Sequence, residues 1–136
     1  MFVLDTNVVS ELRRAEKGDP RVFAWASSHR EADFFLSAIT ILEIELGARL
    51  LERKDKTRGA ILHAWIDRYV LPEFEGRILP IDVAVAMRCA SLHVPTPMAS
   101  NDVLIAATAL VHGMAVATRN EVDFARTGVM VVNPWK

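Results

Sequence analysis

Asp5, Glu43, Asp102 and Asp123 are the acidic residues of this chain whose surroundings call for an explanation. Asp5 closes the apolar run Met1-Phe2-Val3-Leu4 and is followed at once by Thr6 and Asn7. Such a run, with no polar alternation, reads as a buried central strand of a parallel sheet. In open α/β sheets the ligand crevice lies beyond the carboxyl ends of the strands, which is where Asp5 falls. Its alternative role there is to cap the following helix. Glu43 interrupts a stripe at three- and four-residue spacing, Ile39, Glu43, Leu46 and Leu50, which predicts a core-facing helix side. A carboxylate on such a face is paired with a cation, gathered with others around a metal, or carried on an apolar stem with its head in water. Glu45, with Ile41, Ala48 and Glu52, lies at the edge of that stripe. Asp102 opens the apolar run Val103–Ala107, where the helix dipole alone would favour an aspartate. The run Thr118-Arg119-Asn120-Glu121-Val122-Asp123 again places polar and acidic groups just beyond a strand. Each position is ordinary by itself; all of them at one edge of one sheet are not. Converging carboxylates favour hard divalent cations such as Mg²⁺ or Mn²⁺. Two such ions roughly 4 Å apart, or one with an activated water, serve phosphodiester cleavage. The charge of the ion also lets an acidic surface take a polyanion.

The elements that must position these groups alternate between strand and helix. Strands are predicted at the N-terminus, at Ala32–Leu36, Arg77–Ile81, Ala115–Ala117 and Val129–Val132. A helix over Val8–Arg14 ends in the turn Lys17-Gly18-Asp19, and Asp19-Pro20 opens the next, with proline at its first position. Ser37 is a suitable cap for a long helix through Arg53. The charged stretch 53–58 separates it from a helix ending near Leu71-Pro72. Asp82 caps a helix through Leu92, and the proline-punctuated segment His93–Pro97 follows. Ser100-Asn101-Asp102 starts the helix Val103–His112, which Gly113 stops, and Glu121–Ala125 is a short helix. This alternation predicts an α/β fold, a mostly parallel sheet with helices on both faces.

Composition narrows the function classes. The 136 residues suit one domain, 1–136, and half of them are hydrophobic, which excludes a disordered tail or a coiled-coil rod. A net charge of −1 argues against tight nonspecific phosphate binding but not against a metal-assisted nuclease, whose site is itself acidic. The lone Cys89 forms no internal disulfide and suits a small core position. No signal-like or membrane-length apolar run is present, so the chain reads as soluble and cytoplasmic, with no membrane partner. There is no glycine-rich phosphate loop, no G-x-S-x-G elbow and no paired cysteine ligands. His29, His63, His93 and His112 lack zinc spacing, and Trp25 and Trp65 lie on helices among apolar neighbours, as core residues do. A phosphatase of Rossmann-like form would need a second aspartate two residues after Asp5, where Asn7 stands.

A wider set of residues carries a family resemblance. It comprises Leu4-Asp5-Thr6-Asn7, Leu36-Ser37-Ala38-Ile39-Thr40 with Glu43, and Gly76-Arg77-Ile78-Leu79-Pro80. It continues through Asn101-Asp102 with Leu104–Ala109, Ala117-Thr118-Arg119-Asn120 with Asp123-Phe124, and Asn133-Pro134-Trp135. In this order and over essentially the whole chain, these motifs resemble the PIN-domain ribonucleases. Within them they are most similar to the VapC toxins of bacterial toxin–antitoxin pairs, including the FitB-like branch. The resemblance implies a PIN-like, Rossmann-like three-layer fold with a five-stranded sheet in the order 3-2-1-4-5. It further implies a metal-dependent endoribonuclease using Mg²⁺ or Mn²⁺, a homodimer, and inhibition by a VapB-type antitoxin that inserts a C-terminal segment. Carried over by motif, Asp5, Glu43 and Asp102 match the acidic metal positions. Thr6 lends a hydroxyl near the metal, Asn7 orients Asp5, and Thr118 supports the same edge.

Two departures from the family pattern stand out. Many relatives place an aspartate where Asn120 stands, so either Asp123 supplies the fourth acidic group or it only caps its helix. Arg119 is a candidate contact for substrate phosphate, or else a plain surface arginine. The segment 91–98 is shorter and less basic than usual, which bears on RNA contacts beside the site. The basic residues Arg13, Arg14, Lys17, Arg49, Arg53, Lys54, Lys56 and Arg58 are candidate RNA or antitoxin contacts, or a solvated surface. The alternative function is a catalytically weak or silent PIN-like module that binds RNA or protein.

Overall fold

In a computed structural model describing Met1–Lys136, the strand at the N-terminus is the middle of the sheet. This strand, β1 (Phe2–Leu4), is flanked by β2 (Phe34–Ser37) and β4 (Ala115–Ala117), with β3 (Ile78–Leu79) and β5 (Val131–Val132) at the edges. All pairings are parallel and the order is β3-β2-β1-β4-β5, as the resemblance implied. Because side chains alternate across a strand, Val3 and Leu4 point to opposite faces, and both are buried. Leu4 joins Val8, Val22, Leu36, Ile44, Ile66 and Trp135 on one side, and Val3 joins Ile39, Ile105, Ala106, Val116 and Phe124 on the other. Burial on both faces explains why this strand carries no polar alternation.

The helices are α1 (Thr6–Arg13), α2 (Pro20–Ser27), α3 (Ala38–Lys54), α4 (Lys56–Trp65), α5 (Leu71–Glu73), α6 (Val83–Leu92), α7 (Ser100–Val111) and α8 (Glu121–Ala125). Their starts follow the capping chemistry read from the sequence. Asp19, Ser37 and Asp82 each accept a backbone N–H at the mouth of the next helix, and Asp55, inside the charged stretch, does the same for α4. Gly113 takes a positive φ of 68°, and the Met114 N–H returns to the Ala109 carbonyl, which ends α7 at the expected place. Cys89 is buried, as expected. No helix is long and apolar enough to cross a membrane.

Several boundaries differ from the sequence reading. The second strand starts at Phe34 because Glu31–Asp33 form a 3₁₀ turn, and it runs through Ser37, which both ends the strand and caps α3. The helix expected to end near Leu71-Pro72 instead passes through a π-helical turn, Ile66–Val70, into α5. The third and fifth strands are two residues each, since only those residues find a ladder partner at a sheet edge.

A larger correction concerns the stripe through Glu43. Ile39 is buried, but Leu46 is 51% and Leu50 55% exposed, and Leu42 beside them is also exposed. The core side of α3 is carried by Thr40, Ile44 and Ala48. Glu43 therefore stands at the border between the buried face and an exposed leucine face, not in a core stripe. Period alone could not separate the two faces, because α3 has apolar residues on both.

Arg77, part of the family-like motif, is a structural tie. Its guanidinium donates to the carbonyls of Glu31, Phe34 (2.7 Å) and Glu73 and lies 4.9 Å from the Phe74 ring centroid. It thus joins the chain before β2 to the chain before β3, with its side chain only 18% exposed. Arg77→Ala leaves these carbonyls short of a donor and is expected to cost about 2–4 kcal/mol in denaturant unfolding. Arg77→Lys recovers only part, since an ammonium lacks the planar fork that spans the three acceptors.

Candidate functional site

The sheet register brings the site together. Leu4 pairs with Ala117, so Asp5 and Thr118 leave adjacent strands side by side, and the Asp5 N–H bonds the Ala117 carbonyl at 2.9 Å. Asp5 is 5% exposed, and every acceptor it offers to the protein is used. Its Oδ1 accepts the Thr6 N–H at 2.8 Å, which also caps α1. Its Oδ2 accepts the Thr118 hydroxyl at 2.8 Å and the Asn7 amide at 3.2 Å. The capping reading and the site reading of Asp5 are thus both true of its geometry. Burial pushes the Asp5 carboxyl up from its ordinary value, the Thr118 and Thr6 hydrogen bonds oppose this, and the Glu43 charge adds to it.

The remaining residues join through this aspartate. The Thr6 hydroxyl donates to Glu43 Oε1 at 2.7 Å, which ties the first turn of α1 to the second turn of α3. Thr40, three residues before Glu43, is buried with no partner for its hydroxyl. The Thr118 hydroxyl, itself fully buried, accepts the Asn120 N–H at 2.9 Å. Asn7 spans the gap: its amide donates to Asp5 and Thr118, and its Oδ1 accepts the Arg119 N–H at 3.3 Å.

Asp102, in the first turn of α7, is half-buried and faces the same edge. Its carboxyl is raised to about 6, first by burial and then by the charges of Asp5, Asp123 and Glu43, in that order. Asp123 and Asp102 line one cavity of about 80 Å³ together with Met98, Ala99, Val103 and Arg126. Asp5, Glu43, Asp102 and Asp123 are therefore close enough to feel one another, and none is in a salt bridge. They do not stand as a closed cage, because no three acidic, histidine or cysteine side chains are grouped tightly enough to hold an ion as they are. Their hard oxygen donors and uncompensated charge fit a divalent cation that would draw them in.

Asn120 reaches the site through its backbone, since its side chain makes no capping bond to α8. Arg119 turns its guanidinium onto the Trp135 ring, 5.1 Å from the centroid. Asp19, held at about 2 mainly by its bond to Arg21, also feels the Arg119 charge, which places this arginine toward the start of α2. His63 pairs with Glu52 at 2.9 Å, and Trp25 packs among Phe2, His29 and Phe34, so neither takes part. Trp65 lies under the Arg13 guanidinium and lines a cleft of about 310 Å³ with Leu4, Val9, Leu12, Tyr69 and Phe74. The sequence reading passed over Arg126; its spacing three residues after Asp123, at the end of a short helix, was the available signal.

Thr118→Val tests the geometry around Asp5. It removes the hydroxyl donor and should lower any activity that uses Asp5 about 10–100-fold, a typical cost for a residue that orients a ligand. The acidic limb of the pH–rate profile should move to higher pH, because a hydrogen bond to the charged form is gone.

Comparison with known proteins gives these groups a context. The model of the PIN domain family matches residues 2–130. The chain is 41% identical over 140 residues to Toxin FitB of Neisseria gonorrhoeae, covering 99% of each. It is 38% identical to VapC ribonuclease Y4jK of Sinorhizobium fredii, covering 100% of this chain and 99% of the other. Among solved structures, FitAcB from Neisseria gonorrhoeae superposes with a TM-score of 0.89 at 40% identity, over 99% of both chains. A family match over nearly the whole chain, with the same sheet order and the acidic edge in place, leads to one conclusion: the chain belongs to the PIN domain family.

Proposed function

We propose that this protein is the toxin of a VapBC-type pair, a divalent-metal-dependent endoribonuclease that works in the cytoplasm. The observation that carries the reading is the mutual charge of Asp5, Glu43, Asp102 and Asp123 at the carboxyl ends of the strands, with none of them held in a salt bridge. The names of the relatives, a toxin and a VapC ribonuclease, point the same way. Asp5, Glu43 and Asp102 are the ligands of the ion, Mg²⁺ or Mn²⁺, and Asp123 is the fourth acidic group. When bound, the ion supplies Lewis acidity for phosphodiester hydrolysis.

The chain's own residues divide the rest of the work. Asn7 and Thr118 hold Asp5 in one rotamer, and Thr6 holds Glu43 to the same edge. Asn120 fixes the Thr118 hydroxyl through its N–H, which leaves the hydroxyl proton for Asp5. Arg119, pinned by Trp135 and Asn7, offers its guanidinium to RNA phosphate at the α2 side of the crevice. In-line attack of water leaves 5′-phosphate and 3′-hydroxyl ends. A VapB-type antitoxin is the protein partner. The active form is a homodimer, for which the exposed leucines 42, 46 and 50 of α3 are an available apolar face; sedimentation as a monomer would remove that part of the proposal.

The test is incubation of the antitoxin-free protein with a mixed, structured RNA pool, with Mg²⁺ or Mn²⁺ and with EDTA. EDTA-sensitive cuts bearing 5′-phosphates support the reading, and intact RNA under all conditions contradicts it.

A further inference from the structure

Asp102 and Asp123 share their small cavity with a cation that no other part of the site accounts for. Arg126 follows α8, lines that cavity, and forms no salt bridge with either carboxylate or with any other group. Its five N–H donors are uncommitted beside two carboxylates. The cavity holds about 80 Å³, room for roughly two or three waters and so for a group the size of a phosphate. Met98, Ala99 and Val103 supply an apolar wall, and the Met98 N–H bonds His93 Nδ1 at 3.1 Å, which fixes the segment that carries this wall.

From this arrangement we infer that Arg126 is a substrate-binding residue: it takes the backbone phosphate of the nucleotide next to the scissile one, whose sugar rests on Met98 and Ala99. A guanidinium fork matches two phosphate oxygens, and a strand of RNA approaching an acidic edge needs such a group where the carboxylates repel it.

The inference rests on the ribonuclease reading, and its test separates the two. Binding of a labelled single-stranded RNA is measured against NaCl concentration in the full chain carrying Asp5→Asn, which retains the RNA uncut. Adding Arg126→Gln should reduce the slope of log affinity against log salt by about 0.7, the loss of one phosphate contact on a single strand. Arg126→Lys should keep the slope, because one positive charge remains. In the otherwise unaltered chain, Arg126→Gln should raise KM for cleavage about 5–10-fold with kcat within about twofold. An unchanged slope and an unchanged KM would overturn the inference. Absence of cleavage by the unaltered chain would instead strike the ribonuclease reading, and the binding slope would still decide the role of Arg126.

Discussion

Asp5→Asn is expected to abolish RNA cleavage, with a loss of about a thousandfold or more, while leaving a folded protein. The size of the loss follows from what the carboxylate does. Both its oxygens already accept protein donors, which fixes the side chain and holds its charge at the carboxyl end of β1. An amide keeps the shape but removes the charge, and turns a donor toward the Thr118 hydroxyl and the Asn7 amide. The Thr118 oxygen is already used by the Asn120 N–H, so it is a poor acceptor for the new donor. Against that cost stands the relief of a buried charge that burial and Glu43 both disfavour. The two effects oppose each other, so thermal unfolding of Asp5→Asn should stay within a few degrees of the parent, by about the margin that 1 kcal/mol makes in a domain of this size. Unfolded protein would leave the activity result without meaning, and the melting curve guards against that.

Asp102→Asn should separate activity from stability more sharply. Cleavage should fall as far as in Asp5→Asn, yet the metal-free variant should melt higher than the parent at neutral pH. The folded carboxyl titrates at about 6, above its ordinary 3.8, because of its burial and the charges of Asp5, Asp123 and Glu43. Below the ordinary value it is protonated in both the folded and the unfolded chain. Between that value and 6 the folded chain keeps a proton the unfolded chain has lost, so folding is favoured less as the pH rises. Above 6 that contribution is gone, and the folded state carries an unwelcome charge. Asparagine never acquires it. In EDTA, the gap in melting temperature between Asp102→Asn and the parent should therefore be small at pH 4 and open through pH 6. It should reach roughly 2–5 °C at pH 7.5, a modest value because solvent reaches this half-buried group and screens it. A gap that does not change with pH would show that neither burial nor the neighbouring carboxylates raise the Asp102 carboxyl in the folded protein. Such a trade, stability given up at a site that needs crowded charge, is common where function is built in.

Much of this was legible in the residues, for definite physical reasons. An unpunctuated apolar strand ending in Asp5-Thr6-Asn7 fixes a central parallel strand and the position of its polar end. The caps at Asp19, Ser37 and Asp82 and the stop at Gly113 were readable because each depends on one local hydrogen bond or one backbone angle. The strand order came from the family resemblance, since local pattern cannot say which parallel strands are neighbours. What escaped was set by tertiary contact. The face of α3 was misassigned because Leu42, Leu46 and Leu50 are apolar yet exposed. The link from Thr6 to Glu43 joins residues 37 apart in the chain and leaves no local trace. Arg126 was missed for a related reason: an arginine just past a short helix is unremarkable until the cavity it shares with Asp102 is known.

The central claim is that Asp5, Glu43 and Asp102 form a divalent-ion site at the carboxyl edge of the sheet, and calorimetric titration of Mn²⁺ into the antitoxin-free protein tests it most directly. The account predicts saturable binding at neutral pH that weakens as the pH falls below 6, where Asp102 takes up a proton, and that is lost in Asp5→Asn. Equal Mn²⁺ binding by the parent and by Asp5→Asn would contradict it.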